Sequence, residues 1–414
     1  MNSFDEQLEK YAKLVVKVGV NLQPGQDLIV EAPLENISFA RLIVKKAYEA
    51  GAKFVQVQWI DEWITRSRFE CAQDESFDYY PEWYALMLER FVENGGALIH
   101  IKVPDPELYR GIPAEKVSRA NKAMAIARKK YQQYARTHSF SWCLIKAPTQ
   151  AWANTVFADL PEEKRVAAMW DSIFQFNRIH EEDPVTAWKQ HIGRLKQVQQ
   201  ILNEKKYKRL HYKAPGTDVT VELPEEHVWL GGDESNARGN RFVANMPTEE
   251  VFTMPHRTGV NGKVTSTMPL NINGLLVDRF SFTFREGRIV DYSAEVGADH
   301  LAALLESDEG SRYLGEIALV PHDSPISNAR RIFYNIGIDE NASCHMAIGS
   351  SYPVNLKNGT KLSRDELLEK GGNTSLTHVD FMIGSAELDI DGELYNGEVE
   401  PIFRKGNWAI EALR

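Results

Sequence analysis

Hydrophobic positions along the chain change their period part-way through. In the first half, segments with apolar residues three and four apart alternate with short apolar runs, the pattern of helices set between strands. Phe4–Val18 reads as an amphipathic helix and Asp27–Glu31 as a strand. Asn36 stands as the cap of a helix that carries Ala40, Leu42, Ile43, Ala47 and Tyr48 and stops at Gly51. Lys53–Trp59 is the next strand, completing a βαβ unit whose crossover should be right-handed. The alternation repeats through a helix over Pro81–Phe91, a break at Gly95–Gly96 and a strand over Ala97–Val103. A long helix over Ala114–Arg136 and a strand over Ser141–Ile145 follow, then helices over Pro161–Phe176 and Pro184–Lys205. Beyond them the period shortens to two. Arg279–Phe284 and Arg288–Tyr292, joined through Arg285–Glu286–Gly287, form a hairpin. The expected class is α/β, with a mainly parallel α/β sheet domain over residues 1–195 and an α+β, strand-rich domain over 196–414.

The second half carries the chemistry. In Ser375–Gly384, Val379, Phe381 and Ile383 alternate with His378, Asp380 and Met382. Side chains two apart on a strand share a face, so His378 and Asp380 project together as a metal-binding or acid/base pair. Three upstream segments add to them. Asn245–Phe252 contains Glu249 and Glu250, of which strand geometry turns at most one inward. Tyr313–Val320 places Glu316 at the head of an apolar run, where burial without a partner is costly. Asp339–Gly349 sets Glu340 and His345 in apolar surroundings, with Tyr352 soon after. Any one of these residues is more often structural. Together they make an oxygen-rich set with two imidazoles, which suits Zn²⁺, Co²⁺ or Mn²⁺ better than a thiolate site would. About five or six ligands exceed the needs of one tetrahedral cation and point to a pair about 3.5–4 Å apart.

Composition narrows the partners. A chain of 414 residues with 43% hydrophobic and 26% charged positions is of ordinary globular type. Net charge is −10, and the nearest approach to a basic block, Lys205–Arg209, closes a predicted helix where cations suit the dipole. Nucleic acid and anionic membrane are therefore poor partners. No apolar run approaches the roughly 18 residues of a membrane span. Met1–Glu6 is acidic, without the basic flank of a signal peptide. Cys71, Cys143 and Cys344 are odd in number and dispersed, which predicts buried small hydrophobes in a reducing cytoplasm. The first strand is not followed by a glycine-rich dinucleotide fingerprint, so the layout does not imply NAD.

The segments NMPTEEVFT, GEIALV, DENASCHMAIG and THVDFMIG, with the opening NLQPGQDLIVEAP and the helix end AYEAGA, resemble those of the thermophilic metalloaminopeptidases, the aminopeptidase T and aminopeptidase S group. The resemblance spans essentially the whole chain. It implies that Glu250, Glu316, His345, His378 and Asp380 bind two divalent metals, and it matches the family's tyrosine to Tyr352. It also implies an aminopeptidase that releases N-terminal residues from short peptides, and a homodimer whose active sites open into an internal cavity. Two cations sharing a water would lower its pKa toward neutrality. Glu316 and Glu340 are the candidates to carry its proton, and the sequence leaves open which is bridging ligand and which is base. Tyr352 would donate a hydrogen bond to the oxyanion.

Two other readings stand beside this one. Another two-metal hydrolase, acting on esters or non-peptide amides, is disfavoured because no phosphate-cradling loop or arginine cluster lies near the motifs. A non-catalytic metal- or peptide-binding protein is disfavoured by the presence of Glu316, Glu340 and Tyr352. Thr258–Lys263 has its glycines too close for a phosphate loop and reads as a turn. His180–Asp183 runs into Pro184 and marks a helix boundary rather than a zincin motif. Cys344 neighbours His345 in sequence and so faces away from it on a strand. Trp59, Trp63, Trp83 and Trp142 are expected in core or interdomain packing.

Overall fold

The computed structural model describes residues 3–102, 108–272 and 275–413. They divide into two compact units, Met1–Ile192 with Asp233–Thr248, and Gly193–Gly232 with Glu249–Arg414. The mixed α/β class expected from the periodicity is the one found, with a parallel sheet early and antiparallel sheets late.

In the first unit four strands run parallel in the order Phe54–Ile60, Asp27–Pro33, Ala97–Lys102, Trp142–Lys146. Asp27–Pro33 buries Leu28, Ile29, Val30 and Ala32, the near-continuous apolar run of an inner parallel strand. The helix Ile37–Glu49 starts where expected, but Asn36 does not cap it through its side chain. Its amide instead donates to the carbonyl of Pro148. The long helix is broken at Arg128 into Ala114–Ala127 and Lys129–Arg136, with the Arg128 guanidinium 4.7 Å from the centre of the Tyr131 ring. A one-residue break leaves the apolar period intact, which is why the sequence reads as one helix. Helices Glu62–Cys71 and Gln150–Val156 were not expected, and Val103 lies outside the described residues. Trp59, Trp63 and Trp83 are not core residues: they are 45%, 76% and 70% exposed. Cys71 is likewise exposed, while Cys143 and Cys344 are buried.

The second unit holds two sheets whose pairings are antiparallel. One is a nine-stranded sheet containing the long hairpin Leu275–Arg285 and Arg288–Val296. Its turn is two residues, Glu286 and Gly287, rather than three, and both have positive φ (49° and 78°). Only glycine fits the second position, since a Cβ there would meet the Arg257 carbonyl oxygen at 1.7 Å. The other sheet has five strands in the order His378–Met382, His345–Gly349, Leu314–Leu319, Val251–Thr253, Leu230–Gly231. A shared apolar core joins the two sheets. In it Phe282 of the hairpin meets Phe381 edge-on, with ring centres 5.2 Å apart. Phe381 sits between Asp380 and Met382 in the strand, so its ring anchors the face opposite the one that carries His378 and Asp380. Among the described residues no helix is long and apolar enough to cross a membrane.

Phe282→Ala should therefore cost about 3–5 kcal/mol of unfolding free energy, read from the urea midpoint. A loss under about 1 kcal/mol would mean that this ring does not join the sheets.

Candidate metal centre

The register of the five-stranded sheet brings the ionisable residues onto one face. Ala318 lies opposite His345, and Ala347 lies opposite both Glu316 and Asp380. Gly349 lies opposite His378. Residues paired across a sheet share a face, so Glu316, His345, His378 and Asp380 surround Ala318, Ala347 and Gly349. These small residues leave room above the sheet. Gly349 has φ +108°, and a Cβ there would lie 2.3 Å from the Thr377 carbonyl oxygen. Glu250 enters from the residue before the strand Val251–Thr253.

Two ligand groups result, Glu250–Glu316–His345 and Glu316–His378–Asp380, with the candidate atoms of each within 4.8 Å of one another. Nε2 of His345 is 3.0 Å from Oε2 of Glu250 and 3.8 Å from Oε1 of Glu316. Nε2 of His378 is 3.4 Å from Oε2 of Glu316 and 3.5 Å from Oδ1 of Asp380. Glu316 thus turns one oxygen toward each imidazole. Ligands about 2.1 Å from a tetrahedral cation lie about 3.4 Å from each other, so these separations suit atoms that share an ion. Oε2 of Glu250 supports the fit: it is buried without a hydrogen-bond donor, because its short approach to His345 lacks hydrogen-bond geometry.

Both imidazoles are oriented from behind. Nδ1 of His345 donates to the Ser343 carbonyl at 3.0 Å, and Nδ1 of His378 donates to the Ser350 carbonyl at 2.7 Å. Each Nε2 is thereby left to face the carboxylates, the arrangement that metal-binding histidines adopt. Burial opposes charge on His345, but Glu250 and Glu316 outweigh it and hold the imidazole well above its usual range. His378 is raised in the same way, against burial, by Tyr352, Asp380 and Glu316. Burial pushes Glu250 up, with His345 pulling the other way and Glu316 and Asp380 adding to the rise. Asp380 stays below the usual carboxylate range because His378 and His345 overcome its burial. The cluster therefore favours positive charge at its centre, as protons or as a cation.

Tyr352 adjoins the second group, its ring 4.9 Å from that of His378 in an edge-on contact. Glu340 is buried in the turn Glu340–Ala342 and belongs to neither ligand group. Its Oε1 accepts from Nδ2 of Asn341 at 3.4 Å. Asn341, which sequence reasoning missed, also accepts from the Glu249 backbone N–H at 2.8 Å. The alternation argument for Glu249 and Glu250 does not apply, because the strand begins only at Val251. Glu249 is buried as well. Cys344 faces the core, where its thiol donates to the Val320 carbonyl.

A family model described as thermophilic metalloprotease (M29) matches residues 4–408. The chain belongs to this family. It is 50% identical over 411 residues to aminopeptidase 2 of Geobacillus stearothermophilus, covering 99% of this chain and 100% of the relative. Aminopeptidase T of Thermus thermophilus is 40% identical over 410 residues, covering 99% and 100%. The solved structure of wild-type AmpT from Thermus thermophilus superposes with a TM-score of 0.92 at 39% identity, covering 99% of this chain and 100% of that one. Membership in a metalloprotease family implies a divalent metal, and the chain has donor groups that fit one.

A cation entering this M29 cluster competes with protons for Nε2 of His345 and His378, which the neighbouring carboxylates hold toward the charged form. Affinity for Co²⁺ should therefore fall as the pH drops from about 8 to about 6, with protons released on binding. Glu316→Gln should weaken uptake throughout the cluster. Calorimetric titration in buffers of different ionisation enthalpy checks this, and pH-independent binding without proton release would refute it.

Proposed function

We propose that this protein is a metal-dependent aminopeptidase that releases N-terminal residues from short peptides, with two divalent cations of the Zn²⁺, Co²⁺ or Mn²⁺ class at its site. Glu250, Glu316 and His345 would hold one cation, and Glu316, His378 and Asp380 the other. The observation that carries this reading is the sharing of Glu316 between two ligand groups, one carboxylate oxygen toward each. The relatives named as aminopeptidases, matched along their full lengths, supply the reaction class.

When bound, such cations polarise a scissile carbonyl and acidify water toward neutral pH. The chain's own residues do the rest. Glu316 belongs to both ligand groups, and Glu340 would be the carboxylate that takes a proton and returns it to the leaving amine. Its Oε1 accepts a long hydrogen bond, 3.4 Å, from Nδ2 of the neighbouring Asn341. Tyr352, held edge-on to His378, would donate a hydrogen bond from its hydroxyl to the oxyanion that develops on the substrate. The carboxylates attract the substrate's free α-amine, which restricts cleavage to the first residue.

Hydrolysis of amino-acid p-nitroanilides should stop with chelator, return with added Co²⁺ or Zn²⁺, and fail when the amine is acetylated. Tyr352→Phe should keep full metal content and lose roughly 10²–10³ in kcat. Cleavage of acetylated substrates would rule out an aminopeptidase, and unchanged turnover of Tyr352→Phe would rule out the oxyanion role.

We also propose that the protein is a homodimer. The edge strand Phe54–Ile60 and the helices after it expose several large apolar side chains, Phe54 (57%), Trp63 (76%), Ile64 (71%) and Trp83 (70%), which a partner surface would cover. Sedimentation should give a dimer that Trp63→Glu combined with Trp83→Glu weakens. A monomeric parent would refute the proposal.

A further inference from the structure

Behind His378 lies a second layer of contacts whose centre is Asn373. This residue is fully buried, and each of its polar groups is engaged. Nδ2 has two protons and donates to the carbonyls of Gly349 at 2.7 Å and Gly310 at 2.8 Å. Oδ1 accepts from Nε of Arg257 at 3.1 Å. The Arg257 guanidinium lies 3.8 Å from the centre of the Tyr313 ring, and the Tyr313 carbonyl accepts from the Gly349 N–H at 2.8 Å. The backbone of Asn373 is tied to the same segment. Its N–H donates to Oγ of Ser351 at 3.0 Å, and its carbonyl accepts from the Ser351 N–H at 2.9 Å.

Gly349 and Ser351 are the two neighbours of Ser350, so Asn373 holds Ser350 from both sides. Ser350 itself donates its N–H to the Thr377 carbonyl at 2.8 Å and receives Nδ1–H of His378 on its own carbonyl at 2.7 Å. That last bond decides which nitrogen of His378 carries the proton and which is free to face Glu316 and Asp380. The next residue after the held segment is Tyr352.

We propose that Asn373 is a positioning residue for one of the two ligand groups: by fixing Gly349–Ser351 it aims Nε2 of His378 and seats Tyr352, while leaving the group around His345 alone. The contrast between the two imidazoles is what makes this specific. His345 is oriented by the Ser343 carbonyl, at the opposite end of the strand His345–Gly349. Asp at this position keeps the shape of Asn but sets a carboxylate oxygen against the Gly349 and Gly310 carbonyls, which repels the segment that Asn373 now holds. Ser removes the long donor without adding charge. The proposal rests on the reading of His378 as a metal ligand.

The test is a Co²⁺ titration of the full chain, wild type beside Asn373→Asp and Asn373→Ser, followed by visible absorption and chelator competition. Circular dichroism would confirm that each variant is folded. The expected result is that one Co²⁺ equivalent weakens about 10–100-fold and changes its absorption band while the other keeps its affinity, with Ser the milder change. Turnover should fall in kcat more than KM rises. Should the Asp variant not fold, the Ser variant carries the comparison. Two unchanged equivalents in a folded variant would overturn the proposal, as would equal weakening of both, or failure of both variants to fold, since each fits a general packing role. A wild-type protein that takes up no Co²⁺ would instead defeat the metal reading beneath it.

Discussion

Burial of charge on one face of a sheet is the constraint around which the second unit is arranged. Removing a carboxylate or imidazolium from water costs several kcal/mol even after relaxation, and this cluster removes several at once. It is tolerable only because the charges alternate in sign and stand within about 3–4 Å of each other. The compensation is incomplete, as the undonated oxygen of Glu250 shows. An apolar core would be cheaper. The arrangement makes physical sense as one that accepts additional positive charge.

The sheet serves this end with its two faces. On one, Ala318, Ala347 and Gly349 keep the space between the long ligand side chains open. On the other, Phe381 and its neighbours pack into a core shared with the nine-stranded sheet, which keeps the strands in register. A one-residue slip would turn His378 and Asp380 toward the phenylalanines and strand the charges in the core. Register here is therefore enforced from both sides. Backbone carbonyls complete the frame by occupying the far nitrogen of each histidine.

The parts of this frame that alternate were legible in the sequence. His378 and Asp380 could be placed on one face because the strand through them has period two, and the fold class followed from the change of period midway. Glu249 and Glu250 were misread by the same logic, because the chain there is not yet a strand. The helix break at Arg128 leaves the apolar period undisturbed, so periodicity could not reveal it. Trp63 and Trp83 look like core residues by composition, and only their exposure in the folded chain shows otherwise. Asn373 was invisible for a different reason. It acts through carbonyl groups, which every residue possesses, so nothing in the letters Gly–Gly–Asn distinguishes a clamp from a turn.

The candidate ligands come from three strands and the approach to a fourth, widely spaced along the chain, so the cluster exists only once the sheet has closed. An unfolded chain offers no comparable cluster, and any cation that prefers the closed sheet draws the folding equilibrium toward it by mass action. Such an ion acts as a removable cross-link among distant segments, restricting the chain much as a disulfide does but without a redox step. Supply of metal would then bear on how long each molecule survives as well as on how fast it works. A chain without such an ion would keep its crowded carboxylates and would open more often, and opening is what exposes a protein to proteolysis.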